Sequence, residues 1–112
     1  MVLKSYAKIN LTLSINNKLK SGLHNIQSIY CLINLHDKIF LKKNKNKYFD
    51  QVSFTGPFSK DINKSNNSVK KVLKVMRKNK IIHDYYSIKV SKKIPLFAGL
   101  GGGTSNAATL LK

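Results

Sequence analysis

From Ala7 to Ile15 apolar and polar residues alternate strictly. Ala7, Ile9, Leu11, Leu13 and Ile15 fall on one side, and Lys8, Asn10, Thr12 and Ser14 on the other. A period of two predicts a β-strand with one buried face. A polar turn follows over 16–22. Ile29 to Leu35 and Lys38 to Leu41 read as apolar strands separated by Asn34-Leu35-His36-Asp37, in which Asp37 reads as a turn-forming residue. Lys42 to Lys47 reads as a charged hairpin loop, Tyr48 to Phe54 as a further strand, and Thr55-Gly56-Pro57-Phe58 as a turn. The period then changes. Val69, Val72, Leu73 and Met76 are spaced at three, four and seven, which predicts an amphipathic helix with lysines outside and Asn66 or Asn67 as its N-cap. Alternation returns at Tyr86, Ile88 and Val90, a strand that leads into Lys92-Lys93-Ile94 and a glycine-rich run. Strands, helix, strand, glycine loop and final helix make an α+β protein.

The totals narrow this picture. A chain of 112 residues with 42% hydrophobic content can build one domain and a modest core. No apolar run approaches the ~20 residues of a membrane span, and the N-terminus lacks the apolar segment of a secretory signal, so a cytoplasmic protein is expected. Cys31 has no partner and reads as a small buried filler. His24, His36 and His83 have no ligand-like spacing to it. The charge is unusual: 21 Lys+Arg against 4 Asp+Glu, a net +17. A basic RNA-binding domain is one reading. Compositional bias is the other, and it is favoured because Arg77 is the only arginine, the lysines are dispersed, and Asn is equally conspicuous in the loops. Salt-sensitive sticking to RNA is expected in either case.

The candidate chemistry lies in Pro95-Leu96-Phe97-Ala98-Gly99-Leu100-Gly101-Gly102-Gly103-Thr104-Ser105-Asn106, which holds four of the six glycines. Glycines allow positive φ and let a ligand approach backbone N–H groups. Thr104 and Ser105 offer hydroxyls where the last helix is expected to begin. A glycine turn opening a helix is an anion site, most often for phosphate. It is not a Walker A loop, because no lysine follows the glycines, and their spacing is not G-x-G-x-x-G.

The run P-x-x-x-G-L-G-G-G-[ST]-S-N-A-A resembles the ATP-binding motif of the GHMP kinases. Two other segments resemble that family in the same order: Ser5-Tyr6-Ala7-Lys8-Ile9-Asn10-Leu11, with Tyr6 in place of the usual proline, and Gly22-Leu23-His24, with Leu23 in place of a tyrosine. The resemblance implies the truncated N-terminal domain of such a kinase over 1–112, of ribosomal protein S5 domain 2-like fold, without the second domain. It implies ATP and Mg²⁺ as cofactors, a small-molecule alcohol as substrate, and no specific nucleic-acid or membrane partner. Within the family the likeness points to the branch that phosphorylates a diphosphocytidyl alcohol in non-mevalonate isoprenoid synthesis; another alcohol remains open.

Carried over residue by residue, the motif assigns Pro95, Gly99, Leu100, Gly101, Gly102, Gly103, Thr104, Ser105 and Asn106 to ATP, with Ser105 reaching Mg²⁺ and Asn67 near the nucleotide. Lys8 would steady the reacting hydroxyl and Asn10 would orient the substrate. His24 and Tyr30 would hold its cytosine. The family's general-base Asp lies downstream of the glycine loop. Asp37, Asp50, Asp61 and Asp84 all lie upstream of that loop, so a fragment or decayed remnant with little turnover of its own is expected.

Overall fold

The computed structural model describes residues 1–112. Two long strands, β1 (Val2–Lys18) and β2 (His24–Asn44), form an antiparallel hairpin. They are followed by β3 (Gln51–Thr55), α1 (Ser68–Lys78), β4 (Tyr85–Ser91) and α2 (Gly102–Leu110). The four strands form one sheet in the order β1-β2-β4-β3. β4 runs antiparallel to β2 and parallel to β3. A parallel neighbour needs a crossover, and the segment carrying α1 supplies it.

The expected α+β class is observed, with three departures in the strands. β3 does not fold back on β2 as a hairpin. β4, later in the chain, takes the place between them, because its buried residues Ile88 and Val90 lie in register with Leu41 and Ile39. β2 is continuous through His36 and Asp37, so Asp37 is a buried strand residue and not a turn. The third departure is in burial. Of the expected apolar face of β1 only Ala7 is buried, and every residue from Ile9 to Leu32 is exposed. The alternation is real, but no second layer covers that half of the hairpin. Cys31 is exposed for the same reason, not a buried filler.

The core sits where the helices cover the sheet. Ile39, Ile88 and Val90 pack with Val69 and Leu73 of α1, and Leu3, Leu41, Phe54 and Leu110 surround them half-buried. Leu110 also helps line a small apolar cavity of about 150 Å³ with Leu73, Met76 and Ile88. α1 begins as its sequence predicts: the Asn67 side chain accepts from Lys70 N–H at 3.0 Å. The sole arginine is a tie between elements. Arg77 makes two bonds to the Asp50 carboxylate, donates to the Asp84 carbonyl, and lies 4.3 Å from the Tyr85 ring centroid.

Candidate functional site

After β4 the chain passes Lys92, Lys93 and Ile94 and enters the glycine loop. α2 begins at Gly102, two residues earlier than its hydroxyl residues predict. Gly101 is the N-cap with φ 68°, and no side chain caps the helix. Its first bond is Ser105 N–H to the Gly101 carbonyl at 2.8 Å. The N–H groups of Gly102, Gly103 and Thr104 have no carbonyl a turn behind them, which leaves them open to an anion. Residues from Pro95 to Thr104 curve around a concavity of about 300 Å³. Gly99 also has positive φ, and so does Phe97, at 57°, whose ring is 99% exposed at the loop tip.

Lys8 is brought to this loop by backbone and side chain together. Its N–H donates to the Leu100 carbonyl at 3.0 Å. Its side chain runs alongside Gly101, where an added Cβ would lie 2.9 Å from Lys8 Cε. Its Nζ stands 5.6 Å from the centroid of the Tyr30 ring. A bulge sits beside it: Ile33, Asn34 and Leu35 oppose Ala7 alone, between the Tyr6–His36 and Lys8–Leu32 pairs. Bulges of this kind re-aim the neighbouring side chains. The sequence-predicted residues Lys8, Tyr30 and the glycine run thus meet, and Asn10 lies two strand pairs along from Lys8, opposite Tyr30.

Other candidates are placed differently. His24 pairs with Lys18 at the far end of the hairpin, ten residues beyond Lys8, a separation on the order of 30 Å along the strand. Asn67 is fully engaged, with its oxygen on the helix cap and its amide donating to the Asn63 carbonyl. Ser105 ties α2 to β1: its hydroxyl donates to the Tyr6 carbonyl at 2.7 Å and accepts from Ser5 at 2.9 Å. Asn106 is buried, and its side-chain oxygen has no partner. No group of three His, Cys, Asp or Glu residues is disposed to hold a metal, and no helix is long and apolar enough to cross a membrane.

Two residues beneath the site are not assigned to it from the sequence: Lys92 is given no role, and Asp37 reads as a turn. Lys92 and Asp37 form an ion pair with both side chains almost wholly buried. The other Asp37 oxygen accepts from the N–H groups of Lys93 and Ile94, at 2.6 and 2.9 Å. An added Cβ on Gly102 would lie 3.3 Å from Lys92 Nζ and 2.9 Å from Ile94 Cγ2. The pair therefore underlies the first turn of α2. The available signal was an acid alone in an apolar strand, which burial permits only with a partner.

Known proteins resemble the chain in sequence and in fold. Residues 67–112 match the family profile of the GHMP kinases N terminal domain. The chain is 46% identical over 110 residues to the 4-diphosphocytidyl-2-C-methyl-D-erythritol kinase of Pelagibacter ubique, covering 97% of this chain and 38% of that protein. It is 38% identical over 111 residues to the enzyme of the same name from Finegoldia magna, covering 99% of this chain and 39% of the relative. The chain thus spans about two fifths of the length of the curated relatives it matches. Among solved structures, a 4-(cytidine 5'-diphospho)-2C-methyl-D-erythritol kinase superposes with a TM-score of 0.70 and 26% identity over 99% of this chain and 38% of that one. A homoserine kinase from Cytophaga hutchinsonii shares the fold, at TM-score 0.62 and 17% identity over 96% of this chain and 32% of its own. By its sequence from residue 67 onward and by its fold throughout, the chain is similar to the N-terminal domain of the GHMP kinases.

Proposed function

We propose that this chain supplies the phosphate-binding half of an ATP-dependent kinase acting on 4-diphosphocytidyl-2-C-methyl-D-erythritol, the transfer being to its 2-hydroxyl. The observation that carries the reading is the meeting of Lys8 with the glycine loop: a concave run of open amides with an ammonium laid along its edge. The names of the relatives support the choice of substrate.

Phosphoryl transfer needs alignment and charge neutralisation more than covalent chemistry. In this reading the amides of Gly102, Gly103 and Thr104 hold phosphate oxygens. Lys8 sits where the accepting hydroxyl and the migrating charge would meet, and the Tyr30 ring beside it offers a face for the substrate's base. Mg²⁺ would reach the site on the phosphate oxygens, since the Ser105 hydroxyl is bonded to Ser5 and Tyr6 and Asp37 is bound to Lys92. Asp50 and Asp84 are paired with Arg77 and Lys43, and Asp61 lies in the loop between β3 and α1. The contribution of residues 1–112 is thus binding and charge, not removal of the hydroxyl proton.

The test is nucleotide binding to the purified chain, with ATP and Mg²⁺ compared with CDP, at about 0.15 M and about 0.5 M salt. Saturable ATP binding that survives the higher salt and is lost in Gly101→Val is expected; valine disfavours the loop's left-handed turn and crowds Lys8. Binding that vanishes with salt and ignores the substitution would overturn the reading and leave the lysines as a general polyanion surface.

A further inference from the structure

We infer that Asp37 and Lys92 are positioning residues of the phosphate loop, setting its shape and part of its charge from beneath. The inference rests on the proposed phosphate role of that loop and adds to it the buried ion pair beneath.

Lys92 is held from three sides. Its N–H donates to the Thr55 carbonyl at 2.7 Å at the end of β3. Its own carbonyl is covered by Gly56, which has positive φ and no space for a Cβ. Its ammonium is bound by Asp37 of β2. Asp37 in turn accepts the N–H groups of Lys93 and Ile94, the two residues that deliver the chain to Pro95. The Lys92 ammonium and the amides of Lys93 and Ile94 are therefore all referred to one buried carboxylate.

The placement of the ammonium is unusual. A cation near a helix N-terminus opposes the helix dipole, and a buried one also loses hydration. The fold sets it there with one carboxylate as counter-ion. An ammonium carries three N–H donors, and Asp37 Oδ2 occupies one of them. Gly102 keeps that ground open, since any side chain would meet Ile94 and Lys92. Asn106, one turn further on the same face, is buried with an unpaired oxygen. A polyanion seated on the loop amides would find this ammonium directly under the helix start.

The experiment uses tripolyphosphate and the 112-residue chain. In the unmodified protein the Lys92 ammonium resonance, followed by nitrogen-detected NMR, moves on titration, which a merely structural ion pair would not show. The double variant Asp37→Leu with Lys92→Met replaces the pair by apolar residues of similar volume, a change that generally preserves folding. Its core amides at Ile39, Ile88 and Val90 keep their slow exchange. Its amides at Lys8 and Ser105, which bond the loop carbonyls of Leu100 and Gly101, exchange faster, and tripolyphosphate affinity falls about tenfold to a hundredfold. The single variant Asp37→Asn, which keeps the ammonium, loses less affinity than the double one. Unchanged loop exchange and unchanged affinity in the double variant would overturn the inference, as would binding that leaves the Lys92 resonance still. If the unmodified chain binds no tripolyphosphate, the kinase reading fails, and loop exchange in the double variant still decides whether the pair orders the loop.

Discussion

The two halves of the β1–β2 hairpin are both extended strand pairs with apolar side chains, and they have opposite fates. Near the chain's N-terminus and the end of β2, Ala7 and Ile39 are fully buried. Beyond Lys8, Leu11, Leu13, Ile15, Ile26 and Ile29 are each more than half exposed. Strand pairing is shared; the difference is what lies on top. α1 and α2 cover the first half, and nothing in the chain covers the second. Alternation specifies which residues can share a face, while burial is a property of the neighbours.

Four substitutions test how far that contrast extends into stability. The largest effect belongs to the covered half: Ile88→Ala should destabilise by about 2–5 kcal/mol, the range for emptying a buried isoleucine site, read from the urea midpoint. Removing the cover's anchorage should come next. Asn67→Ala deletes the N-cap of α1 and should cost about 1 kcal/mol; thermal unfolding by circular dichroism checks it. Leu13→Ser on the bare half should change stability by less than about 0.5 kcal/mol. A larger loss, measured under the same urea series, would mean that the hairpin is covered in solution.

The smallest effect concerns the rim of the covered half, where Lys43 pairs with Asp84 at 2.7 Å. The hydrogen bond to Asp84, and then the charge of that carboxylate, hold the Lys43 ammonium above its ordinary value. A group with a raised folded-state pKa stabilises fully below its unfolded value and loses that contribution as pH climbs through the folded one. Lys43→Met should therefore lower the melting temperature slightly at neutral pH, and the gap should close in strongly alkaline buffer. The pair is exposed, so added salt should shrink the gap as well.

Local features were legible in the sequence because they depend on neighbours along the chain. The period of α1, the Asn67 cap, the β4 alternation and the glycine turn are all of this kind. Lys8 meeting the loop was legible only through its likeness to a family, since nothing local links residues 8 and 101. Long-range facts were not legible. β4 displaces β3 from the side of β2, and Asp37 becomes a strand residue because Lys92, fifty-five positions away, neutralises it. Ser105 was read as a ligand group by its place in the motif; in the fold its proton goes to the Tyr6 carbonyl.

The bond between Ser5 and Ser105 spans a hundred residues, and the one from Lys8 to Leu100 nearly as many. Contacts of such sequence separation close late, because the chain between them must be ordered first. At ribosomal rates of about 5–20 residues per second, β1 waits roughly 5 to 20 s before the helix that completes its surroundings exists. Throughout that interval the hairpin is a sticky two-stranded ribbon, marginal by itself. The glycine loop is thus the keystone in time as well as in space. Under the proposed function, phosphate affinity would appear only after every strand is in place, and a bound nucleotide would report that folding has finished.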